Sequence, residues 1–205
     1  KFGLTWQVPW RVESALQRQS VRELRGLHVL VLGGTGPVGR IAGVIAAQAG
    51  AKVVLSSRSG AAAAEQVARE TGARFAVDLH GVSGSDREGV RASLADAQVV
   101  LACAAAGVQV LSADDLASAK QLEVAADINA VPPAGIADVG VMDNAAPLAG
   151  TKALGIGALA VGNVKYQTQQ RLLVQMREAE KPVSLGFVEA FATARAFITE
   201  SRKAT

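Results

Sequence analysis

Few residues in this chain could hold a metal or form a cross-link. Its 205 residues include one cysteine, Cys103, and two histidines, His28 and His80. A lone cysteine excludes an intramolecular disulfide and any cysteine-rich metal site. The two histidines lie far apart and neither has an adjacent acid, so both are expected to be structural and no metal is expected. Cys103 has no nearby base in sequence and reads as a structural thiol. Aromatic residues make up only 4%, so the core must rely on close packing of small and β-branched side chains, as where helices lie on a parallel sheet. Runs of like charge are missing too. The net charge of +3 comes from residues 1–27, where Lys1, Arg11, Arg18, Arg22 and Arg25 face only Glu13 and Glu23. The remaining residues carry sixteen basic and sixteen acidic groups, so no nucleic-acid partner is expected. Every long apolar stretch is broken by Gly, Gln or charge, and the first residues lack the apolar run of a signal peptide. A soluble cytoplasmic protein with no membrane partner is expected.

Half of the residues are hydrophobic, enough for one sizeable core with a small appendage. Residues 1–27 read as a lead-in, with a helix after Pro9. The apolar run His28–Leu32 reads as a buried strand. A helix follows over 37–49, with Val38, Ile41, Ala42 and Ile45 at helical spacing, and Gly50 stops it. Strands are then expected at 52–57, 74–77, 98–102, 122–128 and 151–156. Helices are expected at 61–70 (ended by Gly72), 86–95, 113–120 (capped by Ser112), 164–179 and 185–201. This alternation predicts an α/β fold, a Rossmann-type doubly wound parallel sheet. The domains are then a lead-in 1–27, a nucleotide-binding domain 28–163 and C-terminal helices 164–205.

Between the first strand and its helix lies Gly34-Thr35-Gly36-Pro37-Val38-Gly39, a G-x-G-x-x-G run in the context that gives the pattern meaning. Gly34 is expected to permit the tight turn, Gly36 to let backbone approach a pyrophosphate, and Gly39 to let helix and strand pack closely. Pro37 occupies the first helical turn, where a missing N–H costs little. The helix N-terminus then faces the anion.

The second strand ends Ser56-Ser57-Arg58-Ser59, with no carboxylate to take a ribose 2′-hydroxyl. Arg58 would attract a 2′-phosphate, and Ser57 and Ser59 could donate to it. NADP is therefore the expected cofactor, with NAD use left open because Arg also stacks on adenine. Ala104 and Ala105, after the fourth strand, suit a cofactor crossing the switch point. Asp127 and Asn129 end the fifth strand. They could hold nicotinamide or substrate, or simply cap a turn. Lys165 and Tyr166 lack the tyrosine–three–lysine spacing of short-chain dehydrogenases.

Four stretches resemble the NAD(P)-dependent methylene-tetrahydromethanopterin dehydrogenases, relatives of the methylene-tetrahydrofolate dehydrogenases. They are Val31–Gly39, Val53–Arg58, the block Ala126-Asp127-Ile128-Asn129-Ala130-Val131-Pro132-Pro133-Ala134-Gly135-Ile136, and Ala153–Gly157. The third is the most specific. The resemblance implies hydride transfer from the methylene bridge of a pterin or folate C1 carrier to NADP⁺, a reaction that needs positioning more than a strong base. It also implies an N-terminal α/β substrate domain. Only 27 residues precede the first strand, so most of that domain is expected to lie outside this chain. A homo-oligomer is expected as well. Two alternatives stay open: another two-domain NADP dehydrogenase such as a shikimate-dehydrogenase-like enzyme, and a non-catalytic NADP-binding module.

Overall fold

Short apolar runs closed by small or polar residues become the strands. The structure, a computed structural model, describes Ala15 and residues 23–203, the last three as backbone only. Of the helix expected after Pro9, only Ala15, which is helical, falls among the described residues. The strands are β1 (His28–Leu32), β2 (Lys52–Ser57), β3 (Leu79–Ser83), β4 (Val99–Ala102), β5 (Val124–Asp127), β6 (Asn144–Pro147) and β7 (Leu154–Ile156). They form one seven-stranded sheet in the order β3-β2-β1-β4-β5-β7-β6. Every pairing is parallel except that of β6 with β7.

The helices are α1 (Pro37–Gln48), α2 (Ala61–Phe75), α3 (Arg87–Ala95), α4 (Ala113–Ser118), α5 (Ala158–Glu178) and α6 (Phe187–Lys203). They explain why the central strands are apolar at consecutive positions. Val29, Val31, Val53, Leu55, Val99 and Leu101 are buried in a cluster with Ala42, Val44 and Ala46 of α1. Leu30, Leu32, Val100, Ala102 and Ala125 are buried in another with Leu94 of α3 and Leu116 of α4. Both faces of a parallel sheet must be covered, so alternation disappears from the sequence. Ile45 of α1 also meets Val164 of α5 and Ala190 and Ala194 of α6 in a third cluster. Among the described residues no helix is long and apolar enough to cross a membrane.

Several expected boundaries are corrected. The second helix does not stop at Gly72 but runs on to Phe75, with left-handed Ala76 as its C-cap. A Cβ at Gly72 would lie 2.6 Å from the Val77 carbonyl oxygen, so this glycine serves close packing rather than termination. The strand expected at 74–77 is therefore helix and turn, and β3 lies at 79–83. The short edge strand β6 makes the sheet mixed rather than wholly parallel. The helix expected from residue 164 begins at Ala158 and passes through the expected domain boundary at 163.

From β1 the chain winds outward through β2 and β3, then returns to β4 on the other side of β1. That reversal opens a crevice at the carboxyl ends of β1 and β4, where ligands of open α/β sheets bind.

Candidate functional site

The glycine loop builds the crevice floor. Gly33 takes φ +69°, and a Cβ there would sit 2.8 Å from Ala104 Cα across the switch point. The tight turn expected of Gly34 is thus made by Gly33. Gly34 lies against β2, where a Cβ would meet Leu55 Cβ and the Val31 carbonyl oxygen, each at 2.8 Å. Gly39 seats α1 on the loop, since a Cβ there would come within 2.6 Å of Gly34 Cα. Gly36 differs, because its nearest neighbour would be the Gly33 carbonyl oxygen at 3.4 Å. Gly36 is the N-cap of α1, no side chain caps that end, and Pro37 follows in the first turn with Val38 behind it. The helix therefore presents bare backbone donors and the positive end of its dipole at the crevice.

A cleft of about 560 Å³ lies over this loop, lined by Leu32, Gly33, Thr35 and Gly36 from its floor. Ser57, Arg58 and Ser59 border it beside Gly84, Ser85, Asp86 and Arg87, and Cys103, Ala104, Ala105 and 108–110 border it too. Ser57 is buried and works as a knot: its Oγ accepts from Thr35 Oγ1 at 3.2 Å and from the Ser59 N–H at 3.2 Å. The Ser57 carbonyl accepts from Gly84 N–H at 2.8 Å, which stitches the end of β3 to the end of β2. Arg40 Nε donates to the Thr35 carbonyl at 2.8 Å and braces the loop from α1. Arg58 is exposed, and its guanidinium has no acceptor among the described residues.

A second cation on this rim is not legible from motif or spacing. Arg87, the first residue of α3, donates Nη2 to Ser112 Oγ at 2.6 Å and Nε and Nη2 to the Asp115 carboxylate at 3.3 and 3.2 Å. Arg91 Nε binds the same carboxylate at 2.8 Å. Burial works against the charge on Asp115. The Ser112 backbone and hydroxyl donors and the two guanidiniums outweigh it and hold the carboxyl below the usual range.

Asp127 and Asn129 are placed differently from the side chains above, for neither lines the cleft. Asp127 is 2% exposed. It accepts from the N–H groups of Asn129 at 2.9 Å, Gly135 at 2.6 Å and Ile136 at 3.1 Å. Burial, only partly offset by these bonds, raises its pKa. Asn129 Oδ1 accepts from Val131 N–H at 3.0 Å and Gly107 N–H at 3.3 Å, while Nδ2 donates to the Pro133 carbonyl at 2.9 Å. The Gly135 carbonyl in turn accepts from Val110 and Leu111. The two residues therefore clamp the 129–136 loop and, through it, the 107–111 wall of the cleft.

Burial, with Asp127 nearby, pushes the Cys103 thiol up to about 12, which suits a structural thiol and not a nucleophile. No histidine or lysine stands among the described residues lining the cleft. Among the described residues no group of three His, Cys, Asp or Glu side chains could hold a metal ion. The described arrangement is suited to binding an extended, phosphorylated ligand and orienting it.

No protein-family model matches the chain. Among curated proteins it is 44% identical over 180 residues to the NAD(P)-dependent methylenetetrahydromethanopterin dehydrogenase of Methylorubrum extorquens, across 88% of this chain and 61% of that protein. It is 29% identical over 160 residues to the bifunctional protein MdtA of the same organism, across 78% of this chain and 54% of that protein. Among solved structures, quinate dehydrogenase from Corynebacterium glutamicum in complex with NAD matches with a TM-score of 0.59 at 14% identity, across 96% of this chain and 62% of that one. At that identity the match shows the fold alone. The chain thus spans between half and two thirds of the curated relatives it matches.

Proposed function

Over the length it spans, the chain belongs to the family of NAD(P)-dependent methylenetetrahydromethanopterin dehydrogenases, and on that premise we propose that it takes part in hydride transfer from a methylene C1 carrier to NADP⁺. The observation that carries this reading is the uncapped N-terminus of α1 over the glycine loop, opening into a cleft bordered by Arg58. The space beside Gly36 that a Cβ would occupy fits a diphosphate, which needs backbone within hydrogen-bond reach. When bound, NADP⁺ supplies the hydride acceptor.

The chain's own residues bind and orient. The Gly36 N–H is given to the Gly33 carbonyl at 3.2 Å, so the Val38 and Gly39 N–H groups in the first turn of α1 donate to the diphosphate. Arg58 and Ser59 face the adenosine end, where a guanidinium with no acceptor among the described residues favours a 2′-phosphate over a hydroxyl. NAD remains usable, because the diphosphate contacts are common to both nucleotides. Ala104 and Ala105 keep the passage across the switch point narrow and free of bulk. Asp127 and Asn129 hold the wall of the cleft in place. A described cleft wall without histidine or lysine suits the chemistry. Hydride departure leaves a methenyl cation that the carrier's two nitrogens stabilise, so no protein base must take a proton.

The carrier is a pterin or folate; the methanopterin form is favoured by the 44% relative. A homo-oligomer is part of the same proposal, tested by sedimentation. The function itself is tested by mixing the protein with NADP⁺ and methylene-tetrahydromethanopterin, methylene-tetrahydrofolate or shikimate, and following NADPH and methenyl absorbance. Methenyl product with one of the two C1 carriers, and no reaction with shikimate, is expected. NADPH formed from shikimate alone would overturn the assignment.

A further inference from the structure

Two arginines from different elements border one cleft, and only one of them lies where the nucleotide-binding pattern directs attention. Arg58 follows β2; Arg87 opens α3. The backbone brings their segments together, because Ser57 is paired with Ser83 across β2 and β3, and Gly84 N–H donates to the Ser57 carbonyl at 2.8 Å. We propose that Arg87 is a second specificity residue, which with Arg58 receives a phosphate monoester on the adenosine ribose of the bound nucleotide. This rests on the NADP reading above and adds a residue to it.

Three observations support the assignment. The Arg87 guanidinium is oriented in advance: Nε and Nη2 are held by Asp115 and Ser112, so little freedom is lost on binding an anion. Three of its five N–H donors serve those contacts, which leaves the two on Nη1 without an acceptor among the described residues. The side chain is also 62% exposed despite its ion pair, so a ligand can reach it. A merely structural partner for Asp115 already exists in Arg91, at 2.8 Å.

Both rim carboxylates already have partners. Asp86 borders the cleft too, but it caps α3, accepting from Gly89 N–H and from Ser83 Oγ at 2.9 Å. Asp115 is shared between Arg87 and Arg91. Among the side chains that border the cleft, Arg58 and Arg87 stand against Asp86 and Asp115, and Arg91, outside the lining, supplies Asp115 with a second partner. A dianionic phosphate is matched by Arg58 and by the Nη1 fork of Arg87, whereas a ribose hydroxyl uses neither charge.

Calorimetric titration of adenosine 2′,5′-bisphosphate and of 5′-AMP isolates the contribution of the 2′-phosphate. The wild-type protein is expected to prefer the bisphosphate. Arg87→Ala should weaken the bisphosphate about ten- to a hundredfold and leave 5′-AMP within about threefold. Arg91→Ala should keep the wild-type ratio. Arg87→Lys retains a charge beside Asp115 and guards against a misfolded alanine variant; it should show a smaller but still selective loss. Equal loss of both ligands, or no loss of either, in the folded variants overturns the role of Arg87 while leaving NADP binding intact. A wild-type protein that does not distinguish the two ligands overturns the NADP reading and this inference with it.

Discussion

At the end of β2 two adjacent residues have opposite roles. Ser57 is buried and holds Thr35, Ser59 and Gly84 together, whereas Arg58 is exposed and without an acceptor among the described residues. Both border the cleft, the first as part of its scaffold and the second with its side chain in solvent. A similar division holds for the carboxylates near the cleft. Asp115, with its side chain 5% exposed, ties α4 to α3 through two guanidiniums, and its pKa is held below the ordinary value. A group depressed in this way adds stability above its unfolded pKa of about 3.9, and that stability is lost as pH falls through the folded value. Asp115→Asn is therefore expected to cost roughly 1–2 kcal/mol at pH 7, a figure reduced because water reaches both arginines. The deficit should shrink as the pH is lowered below about 4. Urea denaturation of both proteins at neutral and acid pH checks this, and a deficit independent of pH would contradict it.

Among the elements, the glycine loop separates packing from binding. Gly39→Ala would force a Cβ to within 2.6 Å of Gly34 Cα, so α1 must shift, at a cost of about 1–3 kcal/mol. Gly36→Ala meets only one atom, at 3.4 Å, so the fold should survive while the new methyl crowds an approaching diphosphate. Thermal melts and nucleotide titration should therefore diverge: Gly39→Ala lowers both Tm and affinity, and Gly36→Ala lowers affinity with little change in Tm. Equal behaviour of the two variants would show that Gly36 is only a packing glycine.

The same elements differ in how legible they are in the amino-acid sequence. β1, α1 and β2 can be read there because an apolar run, a glycine turn and a helical stripe agree. The α2–β3 junction cannot, because Gly72 is a packing glycine inside the helix and the reversal falls to Ala76 at φ +53°. The edge strand β6 is Asn-Ala-Ala-Pro, with no β-branched or aromatic residue to announce it. The start of α5 is hidden by Gly157 and Gly162, which read as loop. Within the site, Gly36, Ser57, Arg58 and the two alanines can be placed from local pattern. Arg87 cannot, because its relation to Arg58 exists only once β2 and β3 are paired. Asp127 and Asn129 are legible as strand-end polar residues, but their clamp on the 129–136 loop is not, because it depends on where that loop's N–H groups fall in space.

The whole molecule follows one plan. A sheet apolar on both faces leaves its polar business to the strand ends, and the reversal at β1 and β4 concentrates it at one crevice. The nucleotide reading of the crevice rests on the loop and on the two arginines at its rim. What reacts with it depends on relatives of which this chain spans 61% and 54%. On the proposed reading this crevice selects a 2′-phosphorylated dinucleotide. The decisive experiment is titration of NADP⁺ and NAD⁺ into the wild-type protein and into Arg58→Ala. Tighter NADP⁺ binding is expected in the wild type, and in the variant a loss of about ten- to a hundredfold for NADP⁺ with NAD⁺ nearly unchanged. Equal wild-type affinities, or an equal loss for both nucleotides in the variant, would contradict it.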